Sequence, residues 1–259
     1  MLALNLPEKH RIRQSFDQAA LRYDHYADFQ RQVATRLADW VPKSAGELAL
    51  DIGTGTGFGS TLLVQQGWHP IGLDFSSAML RQAKQRGLSH WRGVQADAEA
   101  LPFQDESLSL IYSSLALQWC QDLSRPFAEA YRVLKPGGRF VCAVLLDGSL
   151  HELKTAWQQI DSHQHVNDFF TLNQVNFALA QKQIVQSQLI CEPVVCRYAT
   201  ARALMQDLKG IGASQIASHA RQRLTKGTLL QLEHAYQQYF SEDGALRATY
   251  QVGLIEVRK

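Results

Sequence analysis

Apolar runs and polar breaks alternate through the first half of the chain with the periods of strands and helices. Gly46-Glu-Leu-Ala-Leu-Asp51 is an apolar run ending in an acid and predicts a buried strand, followed by a helix over 58–66. Pro70-Ile-Gly-Leu-Asp74 repeats the strand pattern, and Ser76 is placed to cap a helix with Met79, Leu80 and Ala83 on one face. A third short strand leads into Val94-Gln-Ala-Asp97-Ala98, and 107–115 and 139–145 read as the fourth and fifth strands. Between those two, Phe127, Ala130, Tyr131 and Leu134 form a helical stripe that Lys135-Pro-Gly-Gly138 should end. Strands alternating with helices from 46 to 145 predict a doubly wound, mainly parallel α/β sheet.

Past residue 146 the alternation stops. Residues 148–185 are polar with helical spacing of Leu153, Trp157 and Ile160, and 210–245 carries a stripe of Leu229, Leu232, Tyr236, Tyr239 and Phe240. A sixth strand is expected over 189–198, a helix capped by Thr200 after it, and a last strand over 248–257.

The chemistry concentrates at the strand ends. Asp51-Ile-Gly53-Thr-Gly55-Thr-Gly57-Phe-Gly59 joins strand to helix, which lets backbone approach a ligand closely. The glycine spacing does not fit a dinucleotide fingerprint, because Phe58 and Ser60 stand where its third glycine is required. The pattern Asp-x-Gly-x-Gly-x-Gly resembles the cofactor loop of class I S-adenosylmethionine-dependent methyltransferases. The strand-end carboxylate of Asp74 is placed to accept two ribose hydroxyls. The resemblance implies that Asp97 meets the adenine amino group and the Ala98 amide a ring nitrogen. Asp51, Gly53, Gly55, Gly57, Asp74, Phe75, Asp97, Ala98 and Leu115 form the candidate cofactor set. The same resemblance implies a Rossmann-like seven-stranded sheet whose antiparallel last strand lies between the fifth and sixth. In that arrangement the chain is one domain. Covering helices occupy 1–45, the cofactor core 46–147, lid or substrate insertions 148–185 and 210–245, and the end of the sheet 187–209 and 246–259. The two insertions would sit together over the strand ends.

Three further segments sharpen the resemblance. The first is Phe16 to Gln30, with Tyr23-Asp-His-Tyr26; the others are Leu117-Gln118-Trp119-Cys120-Gln-Asp-Leu and Leu208-Lys209-Gly-Ile-Gly-Ala. Together they look like the malonyl-acyl-carrier-protein O-methyltransferases of biotin synthesis. That family implies methyl transfer to the free carboxyl of a malonyl thioester, on carrier protein or coenzyme A, with S-adenosylhomocysteine as the other product. Tyr23, Gln118 and Trp119 are the candidate catalytic residues. Tyr23 can set its ring or hydroxyl beside the sulfonium, or be a core contact of the cover with Phe16 and Tyr26. Gln118 stands where many relatives carry histidine; an amide is a poor base, and a carboxylate already ionised at neutral pH needs none. Arg139, Arg197, Arg202 and Lys209 are candidates for holding that carboxylate. Lys9-His-Arg11-Ile-Arg13 and Arg221-Gln-Arg223-Leu-Thr-Lys226 are basic clusters for an acidic carrier protein.

Composition narrows the alternatives. A net charge of +2 over 259 residues gives no nucleic-acid signature, and no apolar stretch has the length of a membrane span. The N-terminus does not read as a signal peptide, and Cys120, Cys142, Cys191 and Cys196 lack metal spacing, so reduced thiols in a cytoplasm and no metal are expected. His151, His163 and His165 form no recognisable triad. Two other readings remain open: a methyltransferase for a quinone ring carbon, and a cofactor-binding adaptor without turnover.

Overall fold

The computed structural model describes residues 6–181, 186–213 and 225–259. Helices α1 (Leu6–Ala19), α2 (Tyr23–Tyr26) and α3 (Asp28–Ala38) precede the sheet. Then come β1 (Leu48–Ile52), α4 (Phe58–Gln65), β2 (His69–Asp74), α5 (Ser77–Gln85), β3 (Arg92–Gln95), β4 (Leu108–Ser114), α6 (Ser124–Val133) and β5 (Leu134–Leu146). The remainder is α7 (His151–Gln158), α8 (Leu172–Ala180), β6 (Gln186–Tyr198), α9 (Ala201–Gly210), α10 (Lys226–Phe240), β7 (Ser241–Glu242) and β8 (Ala245–Arg258).

The sheet runs β3-β2-β1-β4-β5-β8-β6, with the two-residue β7 paired to β8. β1 to β5 pair with one another in parallel, and β8 is antiparallel to both β5 and β6. The order reverses at β1/β4, and ligands bind in the crevice beyond the carboxyl ends of the strands at such a switch point. Local chemistry agrees at each start: the Ser76 and Thr200 hydroxyls accept from the amides of Met79 and Ala203, capping α5 and α9. α6 ends at Val133, and the Lys135-Pro-Gly-Gly138 turn lies within the strand assigned as β5.

Both faces of the sheet are covered, and the period-two alternation of β5 shows how. Val141, Ala143 and Leu145 face a core with Phe29, Leu37, Trp157, Leu204 and Tyr236, drawn from α3, α7, α9 and α10. Phe140, Cys142 and Val144 face the opposite core with Phe127, Ala130 and Val175, drawn from α6 and α8. The segment 148–185 is therefore divided: α7 packs beside α10, whereas α8 buries Val175, Ala178 and Leu179 across the sheet. An amphipathic helix satisfies its stripe on either face, so spacing alone does not choose between them.

Candidate functional site

The loop after β1 is shaped by buried polar contacts. Asp51 accepts from the hydroxyls of Thr54 and Ser60, both at 2.7 Å, and burial pushes its pKa up against those donors. Gly53 (φ 69°) has its α-carbon so close to Ala116 that a Cβ would sit 2.1 Å from that residue's own Cβ. Asp74, from the end of β2, closes the loop by accepting from the Gly55 amide at 2.9 Å and the Ser76 amide at 2.8 Å. Burial drives its pKa up to about 6; the two amides oppose that rise, and Asp51 and Asp17 add to it.

The cradle formed here has a volume of about 100 Å³ and includes Gly53, Gly55, Asp74, Phe75, Asp97, Ala98 and Leu115. Asp51 and Gly57 do not line it: Asp51 braces the loop from behind, and Gly57 sits at the N-terminus of α4 in a left-handed conformation. Leu115 also takes a positive φ, 53°, with its amide held by the Ala143 carbonyl at 2.9 Å. Such backbone in a non-glycine residue is uncommon and clusters at ligand sites.

Helix α1 closes the cradle. Lys9 Nζ lies 2.6 Å from Asp97 Oδ2 and also pairs with Glu99. Burial works against the charged lysine, but the two carboxylates prevail and raise its pKa. Asp17 accepts from the Ser76 hydroxyl at 2.6 Å, and Ser15 donates to the Gly212 carbonyl at 2.9 Å. The turn after α9 is thereby tied to the cover. At Gly210 the contact is closer still, since a Cβ there would lie 2.2 Å from Tyr26 Cδ2.

A second cavity of about 790 Å³ adjoins the cradle, within the range that accepts small-molecule ligands. Ile12, Phe16, Tyr23, Leu115, Trp119 and Cys120 line both spaces and form the junction between them. Phe16 meets Trp119 edge-on, with ring centroids 5.3 Å apart. Burial first, then the charges of Asp74 and Asp24, raise the Tyr23 pKa well above the ordinary phenol, so its hydroxyl stays protonated. Burial likewise keeps Cys120 a thiol.

The sequence-predicted cations divide by position. Arg202 and Lys209 line the large cavity, both exposed. Arg139 lies near the start of β5, away from the carboxyl strand ends, and reaches Glu256 at 3.2 Å. Arg197 is exposed on β6 and pairs with Glu242 at 3.0 Å. Neither lines either cavity: Arg139 lies in the amino half of a strand that runs parallel to β4, opposite the site, and Arg197 lies on the edge strand β6. Arg11 and Lys226 join Arg202 and Lys209 on the cavity wall; Lys9 of the same basic cluster is already committed to Asp97. Arg221 and Arg223 lie outside the described residues. His165, on the cavity wall, stacks on Trp157 and pairs with Asp161 at 2.8 Å.

Two glutamines complete the wall. Gln118 and Gln30 both line the large cavity, and the Oε1 of each is buried without a hydrogen-bond partner. An unmade hydrogen bond at a buried acceptor costs about 1–3 kcal/mol, so such groups usually mark a site completed by something else.

A methyltransferase-domain family model matches residues 50–142, the stretch that builds the cradle. The malonyl-acyl-carrier-protein O-methyltransferase of Serratia marcescens is 38% identical over 229 residues, covering 88% of each chain. The chain belongs to the malonyl-acyl-carrier-protein O-methyltransferase family. It also aligns at 36% identity with the biotin biosynthesis bifunctional protein BioHC of Saccharophagus degradans, across 97% of this chain but 47% of that protein. The chain thus spans about half the length of such bifunctional relatives. Among solved structures, the YcgJ protein of Bacillus subtilis superposes with a TM-score of 0.60 at 19% identity, covering 88% of this chain and 98% of that one. The fold is that of the class I S-adenosylmethionine-dependent methyltransferases. Within this family the Leu208 to Ala213 segment gains a structural meaning. Leu208, Lys209, Ile211 and Ala213 line the large cavity, while Gly210 and Gly212 contact the cover over the cradle. No helix among the described residues is long and apolar enough to cross a membrane.

Proposed function

We propose that this chain methylates the free carboxylate of malonyl-acyl-carrier protein, using S-adenosylmethionine as donor. The observation that carries the reading is the junction: an aromatic, apolar neck between the cradle lined by Asp74 and Asp97 and a cavity with a cationic wall. The cradle's groups fit the cofactor. Asp74 keeps lone pairs for two ribose hydroxyls beyond its two amide donors, and Asp97 stands at the next strand end beside the Ala98 amide. S-adenosylmethionine, when bound, supplies an electrophilic methyl group on a positively charged sulfur.

The chain's own residues do the remainder. Tyr23 and Trp119 present aromatic surface to the positive centre and, with Phe16, Ile12 and Leu115, keep water from the neck. Transfer from sulfonium to carboxylate cancels one positive and one negative charge. A desolvated site without a fixed charge of its own favours that cancellation, because the separated ions lose more solvation than the neutral products. Gln118 suits this chemistry, since no proton has to be removed. Arg11, Arg202, Lys209 and Lys226 would attract the phosphate-bearing arm and the acidic face of a carrier protein, acting mainly on association. Four free cysteines among the described residues fit a reducing cytoplasm. A quinone-ring acceptor, by contrast, would need a base, and none of the neck residues is one at neutral pH.

The test is turnover with labelled methyl donor on malonyl-carrier protein, acetyl-carrier protein and a hydroxylated aromatic ring. Label on the malonyl protein alone is expected; label on the ring, or on both acyl forms equally, would overturn the reading.

A further inference from the structure

Among the described residues, the cations on the large cavity's wall are exposed, yet the carboxylate must reach the neck beside Tyr23 and Trp119, where no cation lies among the six residues shared by the two spaces. Lys9 is on the cradle side and pairs with Asp97 and Glu99. What the cavity wall does offer is neutral: the side-chain amides of Gln118, from the turn after β4, and Gln30, from the first turn of α3. Their oxygens are buried without partners, whereas their nitrogens are not among the buried orphans, which leaves the N–H groups available to a ligand in the cavity.

Resting on the function proposed above, we propose that Gln30 and Gln118 form a neutral clamp that holds the substrate's carboxylate by donating amide hydrogen bonds. The chemistry favours amides over a guanidinium at this point. A bidentate arginine draws electron density from both carboxylate oxygens and remains charged after transfer, facing a neutral ester. Two amides orient the group while one oxygen lone pair stays free for in-line attack, and they leave no unpaired charge behind. The sulfonium itself compensates the carboxylate until the methyl moves. The wall cations then select an anionic carrier, and the amides select the terminal carboxylate over a methyl or amide end.

The test measures binding to the enzyme loaded with sinefungin, an unreactive analogue of S-adenosylmethionine whose ammonium keeps a positive charge where the sulfonium stands, so that no turnover occurs. Malonyl-pantetheine and the uncharged butyryl-pantetheine are titrated into wild type, Gln30→Met, Gln118→Met and the double variant, with Gln30→Glu as a charge-repelling arm. Wild type should prefer the malonyl compound by about tenfold or more, and the double Met variant by less than about twofold, butyryl binding staying unchanged. Gln30→Glu should reverse the preference. Unchanged S-adenosylhomocysteine affinity and melting temperature verify that each variant is folded. A folded double variant, or a folded Gln30→Glu, that keeps the wild-type ratio overturns the clamp. If instead wild type itself shows no preference for the malonyl compound, the carboxylate substrate is wrong and the clamp falls with it.

Discussion

The proposed ribose contact of Asp74 predicts a cofactor affinity that depends on pH. Its carboxylate is 6% exposed and carries a pKa of about 6, because burial outweighs the Ser76 and Gly55 amides. Ribose hydroxyls donate to the ionised form and cannot donate equally to the protonated one, so only the carboxylate binds well. One pH unit below the pKa, about a tenth of the molecules remain ionised, and affinity should fall about tenfold, or 1.4 kcal/mol. Stability runs the other way. The folded pKa lies above the ordinary 3.8, so the native state holds more protons than the unfolded state between those values. Asp74 therefore opposes folding above about pH 6, and that penalty, on the order of 3 kcal/mol, is relieved as pH falls through the window. Calorimetric titration of S-adenosylhomocysteine from about pH 7.5 down to 5 measures the first effect, and melting without ligand the second. Asp74→Asn should bind at least about tenfold more weakly at neutral pH and lose this pH dependence. A dissociation constant that stays flat across the range in wild type would refute both the assignment and the argument from burial.

Three other outcomes follow from particular contacts. Gly210→Ala drives a methyl group against Tyr26 and should destabilise the protein by about 1–3 kcal/mol; an unchanged melting temperature would show that the α2–α9 contact yields freely. Reversing Arg202 and Lys209 to glutamate should raise the KM for malonyl-carrier protein about tenfold at low salt, with the difference shrinking as salt is added. The same pair should leave the KM for malonyl-pantetheine within about twofold, because the proposed clamp on the acyl end is neutral; equal loss on both substrates would place these cations at the carboxylate. Glu152→Ala should cost about 1–3 kcal/mol, since buried Glu152 is the acceptor for the Thr249 amide at 3.0 Å; melting of the variant without loss would contradict this.

The sheet was legible because its information is local and repeated. Each of β1, β2 and β4 is an apolar run, Asp74 ends β2, and Ser76 and Thr200 announce their helices. The placement of β8 between β5 and β6 came from resemblance, since nothing in residues 245–258 names their neighbours. Lys9 read as part of a surface cluster because its partner Asp97 lies 88 positions away, and charge runs say nothing of distant acids. Arg139 lies away from both cavities for a reason the sequence itself carries. Its position at the head of an apolar run already placed it at the amino end of a parallel strand, opposite Asp74 and Asp97, and strand direction would have excluded it. Gln30 carried no signal at all: an amide in a helix is ordinary until the fold shows its oxygen buried and unpaired beside a cavity.

The most direct measurement of the central claim is the intact mass of malonyl-carrier protein after incubation with this protein and S-adenosylmethionine, followed by fragmentation of the acyl arm. The account predicts the gain of one methyl group in place of one proton, located on the terminal malonyl carboxyl. An unmodified acyl arm with the cofactor bound, or a methyl group found anywhere else on the carrier, would contradict it.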